Sequence, residues 1–127
     1  MELVAIVAAL ALLEYLAFVL ICGHARGRYG VAAPATTGNA VFERAYRVQM
    51  NTLEQLVVFL PALLLFAVYV SEPWAAALGV LFVLGRALYA HRYLTDPARR
   101  GPGFGLTLLA NLLLLVGGLI GAIVALM

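Results

Sequence analysis

The sequence has 127 residues, of which 65% are hydrophobic and 11% are charged. A soluble domain of this size has too small an interior to bury so much apolar surface, so the composition excludes a soluble globular protein and predicts an integral membrane protein. The formal net charge of +2 is too small for a nucleic-acid-binding protein, and the single cysteine excludes an intrachain disulfide. The length predicts one domain, residues 1–127.

Four apolar segments are each long enough to cross a bilayer core, which needs about 20 helical residues. They are residues 3–22, 42–70, 74–94 and 104–126. The sequence therefore predicts an all-α fold, an integral membrane four-helix bundle. A cleaved signal peptide is the alternative for the first segment, but its start contains no basic residue and its apolar run is too long. Pro61 inside the second segment is expected to kink the helix rather than end it.

The arginines are gathered at one end of these segments. Four spans put both termini on the same side of the membrane, together with Glu2 and the Ser71-Glu72 turn. The other side, with the two longer loops, receives Arg26, Arg28, Arg92, Arg99 and Arg100. The positive-inside rule therefore predicts that both long loops are cytoplasmic and that both termini lie outside.

A stripe of polar side chains runs along the cytoplasmic half of the second segment. At about 100° per residue, its members fall within an arc of about 100°: Arg44, Arg47, Asn51, Glu54 and Gln55. Ionisable groups inside a membrane are costly and usually mark a functional site. The alternative is a buried polar seam that joins helices. Helix association alone does not need two arginines, a glutamate and two amides, so the stripe favours a binding site.

The third segment carries a second polar face. Arg86, Tyr89 and Tyr93 share an arc of about 60°. Glu14 in the first segment lies as deep as Arg86, so an ion pair between these two, within or between subunits, is expected. For Glu14 and Arg86 the polar seam is the favoured interpretation. The two tyrosines also fit the aromatic belt at a membrane interface.

The stripe has a definite binding chemistry. Guanidinium groups bind carboxylates at two points, a glutamate accepts an ammonium group, and amide side chains bind peptide-like amides. Such a set suits a small zwitterionic peptide with several carboxylates, and the apolar outer walls suit a lipid-soluble second ligand that arrives from the bilayer. No cysteine–histidine cluster has the spacing of metal ligands, so no metal is expected.

Three segments together resemble the MAPEG family, the membrane-associated proteins in eicosanoid and glutathione metabolism. They are residues 42–54 (FERAYRVQMNTLE), residues 34–38 (PATTG) and residues 86–93 (RALYAHRY). The match runs from about Arg26 to Arg100, with the same four-span plan over the whole chain. The resemblance implies a bacterial-type member in the inner membrane, a homotrimer, and glutathione as co-substrate at the subunit interfaces near the cytoplasmic helix ends.

The resemblance also implies roles for individual residues. Positions that match glutathione contacts of the family are Arg26, Arg47, Gln49, Asn51, Glu54, Tyr89 and Tyr93. Arg100 matches the arginine that stabilises the glutathione thiolate in catalytic members. If the third helix continues beyond Thr95, Arg100 returns to the face of Tyr93 while Arg99 turns away, although Pro97 is expected to disturb that register.

The leading hypothesis is a membrane-bound glutathione transferase, or a related glutathione-dependent peroxidase, acting on hydrophobic electrophiles. The family contains enzymes and non-catalytic members, so a lipid- or partner-binding protein of the same architecture is the alternative. A third hypothesis is an accessory subunit of a larger membrane complex, in which the polar stripe only joins helices.

Overall fold

The computed structural model describes residues 1–127 and contains four long helices. They are α1 (Glu2–Arg28), α2 (Ala40–Tyr69), α3 (Glu72–Thr95) and α4 (Gly101–Leu126), with a short 3-10 turn at Pro97–Arg99 before α4. Each is long and apolar enough to cross a membrane. The predicted all-α, four-span fold class is therefore confirmed.

Helix α1 extends six residues past residue 22, the predicted end of the first span. A membrane span ends where the apolar residues end, whereas a helix can continue into the polar residues that follow. The apolar run stops at Cys22, but the following residues remain helical as far as Arg28. Arg26 and Arg28 occupy the last turn, where positive side chains interact favourably with the negative end of the helix dipole. The extension lifts both arginines out of the apolar zone.

Side-chain caps fix the starts of α2 and α3. The Asn39 side chain accepts hydrogen bonds from the backbone N–H groups of Val41 and Phe42, and the Ser71 hydroxyl accepts one from Trp74. Ser71 also allows α3 to begin with only two residues separating it from the end of α2. Helix α2 continues through Pro61, as expected for a spanning helix.

The helices pack through small residues. Ala11, Ala62, Ala75 and Ala110, one from each helix, have no exposed surface. A Cβ atom at Gly85 of α3 would lie 3.0 Å from the backbone nitrogen of Thr107 in α4. Close approach through small residues is the usual way in which membrane helices associate, since lipid competes equally well for large apolar side chains. Leucines and valines accordingly cover the outside of the bundle.

The two ends of the bundle differ in charge. At one end the Met1 ammonium group lies 2.9 Å from the carboxylate of Glu72, so the start of α1 and the α2–α3 turn are adjacent. The other end receives the end of α1, the start of α2 and the 3-10 turn, and with them the arginines of both long loops. A one-sided distribution of arginine is therefore a property of the folded chain.

Candidate functional site

A polar cavity opens at the arginine-rich end of the bundle. Its volume is about 470 Å³, and α2, α3, the 3-10 turn and α4 all contribute to its walls. The lining residues are Arg47, Asn51, Tyr89, Tyr93, Arg100 and Phe104. Five of these six were site candidates from the sequence, and they come from parts of the chain up to 53 positions apart.

On α2, Arg47 is paired with Glu54. The guanidinium Nη1 and Nη2 atoms donate to the two carboxylate oxygens at 3.0 and 3.4 Å. The two residues are two helical turns apart, so their side chains lie along the same face. Their side chains are 46% and 51% exposed. Glu54 does not line the cavity itself and belongs to the site only through Arg47.

Between these two residues, Asn51 turns into the bundle and is almost fully buried. Its carbonyl Oδ1 accepts a hydrogen bond of 2.6 Å from Nη1 of Arg86. Arg86 has no exposed surface, and its Nε donates to the Thr107 hydroxyl of α4 at 3.0 Å. One buried guanidinium therefore connects α3 with both α2 and α4.

Two tyrosines of α3 form the opposite wall. Tyr89 is buried and Tyr93 is half-buried, and their ring centroids are 5.4 Å apart. The Arg86 guanidinium carbon lies 4.2 Å from the centre of the Tyr89 ring. The backbone of Tyr89 packs directly against Gly103 of α4, where a Cβ atom would collide with it. The position of Tyr89 is therefore fixed from two sides.

The turn after α3 places Arg100. Helix α3 ends at Thr95 because Asp96 takes an extended conformation before Pro97, so the α3 helix does not continue to the arginines. The Asp96 carboxylate caps the 3-10 turn, and Arg100 donates from Nη1 to the carbonyl of Pro97 at 3.0 Å. Arg100 lines the cavity and Arg99 does not, as expected. The 3-10 turn, rather than a continued α3 helix, gives Arg100 this position.

Two of the sequence candidates lie elsewhere in this chain. Arg26 donates to the carbonyl groups of Val31 and Ala35 at 3.2 and 2.8 Å, and its guanidinium lies over the Phe42 ring. It thereby holds the first loop and lines a separate depression there. Gln49 is half-buried on a different face of α2 from the cavity.

The polar stripe on α2 is not a single surface. Arg44 donates to the carbonyl of Leu94 at 3.4 Å, and Gln55 accepts a hydrogen bond from Asn111 of α4 at 3.0 Å. These two residues therefore join helices, as the polar-seam interpretation holds, while Arg47 and Asn51 face the cavity.

The expected ion pair between Glu14 and Arg86 does not form within the chain. Arg86 takes uncharged partners instead, and Oε1 of Glu14 is buried without a hydrogen-bond partner. The depth of the two residues along their helices did not predict a pair within the chain, because depth ignores which way each side chain points around its helix. An ion pair between subunits stays a prediction.

The sequence interpretation missed Phe104 in the cavity wall and Thr107 behind it. Thr107 and Asn111 are the two polar side chains of α4, and Thr107 accepts a hydrogen bond from Arg86 of α3. That rarity was a usable signal, since an isolated polar group in an apolar helix needs a partner. Phe104 follows the Gly101–Gly103 segment directly, and nothing in its residue type distinguishes it from the other apolar residues of α4.

The cavity presents mainly hydrogen-bond donors. The guanidinium groups of Arg47 and Arg100 carry only donors and a permanent positive charge, and the tyrosine hydroxyls donate as well. Phe104 and the tyrosine rings supply apolar surface beside them. Such a cavity is suited to a ligand that combines carboxylates with an apolar or polarisable group.

Comparison with known proteins gives the same family as the sequence motifs. The model of the MAPEG family matches residues 4–120. An uncharacterised protein of Synechocystis is 51% identical over 116 residues, which cover 91% of this chain and 85% of that protein. Human microsomal glutathione S-transferase 2 is 36% identical over 118 residues, covering 92% of this chain and 80% of the human protein.

A shorter match is found with guinea-pig (Cavia porcellus) leukotriene C4 synthase, which is 39% identical over 70 residues, covering 55% of this chain and 47% of the synthase. The family match includes parts of all four helices. It begins in the first turn of α1 and ends about two turns before the end of α4. The chain is a member of the MAPEG family, as its sequence motifs predicted.

Proposed function

We propose that this protein is a membrane-bound glutathione transferase that conjugates the glutathione thiolate to hydrophobic electrophiles. The observation that carries the proposal is the meeting of Arg47, Asn51, Tyr89, Tyr93 and Arg100 at one cavity. Two relatives support it by name, a microsomal glutathione S-transferase and a leukotriene C4 synthase.

The charges of the site suit glutathione, which has two carboxylates, an ammonium group and two peptide bonds. Arg47 is proposed to bind a carboxylate of glutathione, and Glu54 is proposed to bind its ammonium group. The two side chains already pair with each other, so each lies beside a group of the charge that it would bind in the ligand. Asn51 lies between them, at the right place for the peptide part of the ligand. Tyr89 and Tyr93 complete the wall.

Arg100 is the proposed activating group. A free thiol has a pKa of about 8.5, and an adjacent guanidinium lowers that value by stabilising the thiolate. The thiolate sulfur then forms a bond to an electrophilic carbon, and the displaced electron pair leaves with a departing anion or is protonated by solvent. The electrophile reaches the sulfur from the bilayer, past the apolar side chains that cover the helices.

The same site supports a homotrimer. Arg47 and Glu54 are about half exposed on a membrane-spanning helix, and a charged pair facing lipid is costly. A neighbouring subunit that packs against this face of α2 removes the pair from lipid and closes the open side of the cavity. Gln49, on another face of α2, and Arg26, in the first loop, then serve as contacts to glutathione bound by the adjacent subunit.

The arginine-rich end is proposed to lie in the cytoplasm of a bacterial cell, with both termini outside the inner membrane. This orientation gives the cavity access to cytoplasmic glutathione, because the cavity opens at the same end of the bundle as the arginines.

The test uses the purified protein in mild detergent. Glutathione titration by calorimetry is expected to show saturable binding, and thiolate absorbance is expected to appear on mixing. Conjugation of chlorodinitrobenzene then measures turnover, and detergent-corrected mass measures the oligomer. Binding without thiolate or turnover would favour a non-catalytic member, and no binding would contradict the proposal.

A further inference from the structure

Arg86 is the one arginine with no exposed surface, and it lies directly behind the cavity. It contacts four groups. Nη1 donates to Oδ1 of Asn51 at 2.6 Å and, at 3.4 Å, to the hydroxyl of Thr52. Nε donates to Thr107 at 3.0 Å, and the guanidinium carbon lies 4.2 Å from the Tyr89 ring centre. Thr107 is itself fixed by a hydrogen bond of 3.0 Å to the carbonyl of Gly103. The guanidinium is therefore held by α4 while it contacts two residues of the cavity wall.

This arrangement determines the orientation of the Asn51 side-chain amide, that is, whether its oxygen or its nitrogen faces Arg86. A guanidinium has five N–H donors and no acceptor, so the atom of Asn51 that faces it has to be the carbonyl oxygen. The reverse orientation would bring N–H groups of both residues together in a low-dielectric interior, which is strongly unfavourable. A short, charge-assisted hydrogen bond holds the observed orientation.

The amide nitrogen of Asn51 is then left for the cavity. Nδ2 makes no hydrogen bond within the chain, and it is not one of the buried polar atoms without a partner. Asn51 nevertheless lines the cavity. Its accessible polar atom is therefore a donor.

We propose that Arg86 is a positioning residue that makes Asn51 a dedicated donor, so that the cavity selects an acceptor oxygen of the ligand at this point. The proposal rests on the proposed function, and for glutathione that oxygen is a peptide carbonyl or a carboxylate. Arg86 itself does not touch the ligand, since it has no exposed surface. It also holds Tyr89, so one buried cation organises two neighbouring wall residues.

The donor role of Asn51 toward the ligand is tested with Asn51→Asp. This change keeps the shape of the side chain and an acceptor for Arg86, but it replaces the donor to the ligand with a negatively charged acceptor. Glutathione affinity is expected to fall at least tenfold by calorimetry, while the thermal unfolding midpoint stays close to that of the wild type. An acceptor role for Asn51 predicts unchanged affinity, and that result would overturn the inference.

Gln55→Glu is the matched control. It is the same amide-to-acid change one helical turn further along α2, at a residue that accepts from Asn111 and does not line the cavity. Its glutathione affinity is expected to equal that of the wild type. An equal loss of affinity in both variants would show a general effect of negative charge on α2 and would also overturn the inference.

The positioning role is tested with Arg86→Lys, Arg86→Met and the double variant Arg86→Met with Asn51→Ala. A lysine can still donate to Oδ1, so Arg86→Lys is expected to stay within about threefold of wild-type affinity, whereas Arg86→Met loses about tenfold. In the Asn51→Ala background, Arg86→Met is expected to cause little further loss, because no amide remains to be oriented. Arg92→Met, an arginine six residues later on α3, is the control for loss of charge.

A full additional tenfold loss in the double variant would show that Arg86 acts independently of Asn51 and would overturn the positioning role. If Arg86→Met does not fold, the comparison of Arg86→Lys with Asn51→Asp decides the question. A wild-type protein that does not bind glutathione would contradict the proposed function and this inference together. A wild type that binds glutathione, with Asn51→Asp unaffected, would contradict the inference alone.

Discussion

Arg47 and Glu54 form a two-point ion pair along α2, with Nη1–Oε1 and Nη2–Oε2 distances of 3.0 and 3.4 Å. Asn51 lies between them in the sequence, is almost fully buried, and lines the cavity together with Arg47. Both charges are about half exposed, so each is available to a ligand. A zwitterion can exchange with the pair without leaving any charge unpartnered: its carboxylate replaces Glu54 beside Arg47, and its ammonium replaces Arg47 beside Glu54.

Neutralising either member is therefore expected to weaken glutathione binding. Arg47→Met and Glu54→Gln each remove one charge-assisted contact, which is worth about 1.5–3 kcal/mol, or roughly ten- to hundredfold in affinity. Stability should change little, since an exposed ion pair contributes only about 0–1 kcal/mol. Calorimetric titration and thermal unfolding of the same preparations measure the two effects.

Glu43→Gln is the control for the loss of a carboxylate on α2, because Glu43 is exposed in the first turn and does not line the cavity. Wild-type affinity in Arg47→Met and Glu54→Gln would mean that the pair only joins helices or subunits. Dissociation of the oligomer in these two variants would show that the pair joins subunits, as the proposed trimer requires.

The contact between Gly103 and Tyr89 predicts that even one methyl group disturbs the site. In Gly103→Ala the new Cβ would collide with the Tyr89 backbone, so α3 and α4 have to separate. Overpacking of this kind costs about 1–3 kcal/mol. Thermal unfolding should therefore occur at lower temperature, and glutathione affinity should fall with it, because α3 carries Tyr89 and Arg86 away from Thr107 and from the α4 side of the cavity.

Gly105→Ala provides the comparison, since a Cβ at Gly105 meets no atom within 4 Å and alanine is the better helix former. This variant is expected to be as stable as the wild type or slightly more so, with unchanged binding. Equal behaviour of the Gly103 and Gly105 variants would show that the α3–α4 contact tolerates displacement and that Tyr89 is not fixed by it.

The four helices were predictable because their signal is apolar length, which depends on composition rather than on neighbours. The cavity-facing roles of Arg47 and Asn51 followed from the motif on α2. Arg86 was harder to interpret. Its depth indicated an ion pair with Glu14, whereas the structure gives it the neutral oxygens of Asn51 and Thr107. Partner choice inside a bundle depends on how each helix is rotated, and one sequence does not contain that rotation.

The proposed membrane orientation predicts where reporter fusions will be found. The Met1–Glu72 contact places the N-terminus beside the α2–α3 turn, and the arginines of the two long loops lie at the opposite end. A reporter fused after Met127 is therefore expected outside, and one inserted at residues 96–100 in the cytoplasm. The matched pair of fusions controls for expression. A cytoplasmic reporter at Met127 would contradict the proposed orientation.

Arg99 and Arg100 are adjacent, equally charged and both exposed, so charge alone does not distinguish their roles. Their directions differ. The break at Asp96 and the 3-10 turn put Arg100 on the cavity wall near Tyr93, and a hydrogen bond from its Nη1 to the Pro97 carbonyl steadies the side chain there. Arg99 ends the 3-10 turn and does not line the cavity.

Removing Arg100 is therefore expected to abolish thiolate formation and leave glutathione bound. Arg100→Ala should retain most of its affinity, since Arg47 and Glu54 remain, but thiolate absorbance on mixing should be nearly lost and turnover should fall with it. Arg99→Ala should behave as the wild type in both measurements. Raising the pH should restore thiolate in Arg100→Ala, because the bound thiol then ionises nearer its unperturbed pKa of about 8.5. Loss of thiolate in Arg99→Ala alone would transfer the role to Arg99. Full thiolate in both variants would exclude activation by either arginine and leave the thiol to be ionised by another group at the cavity.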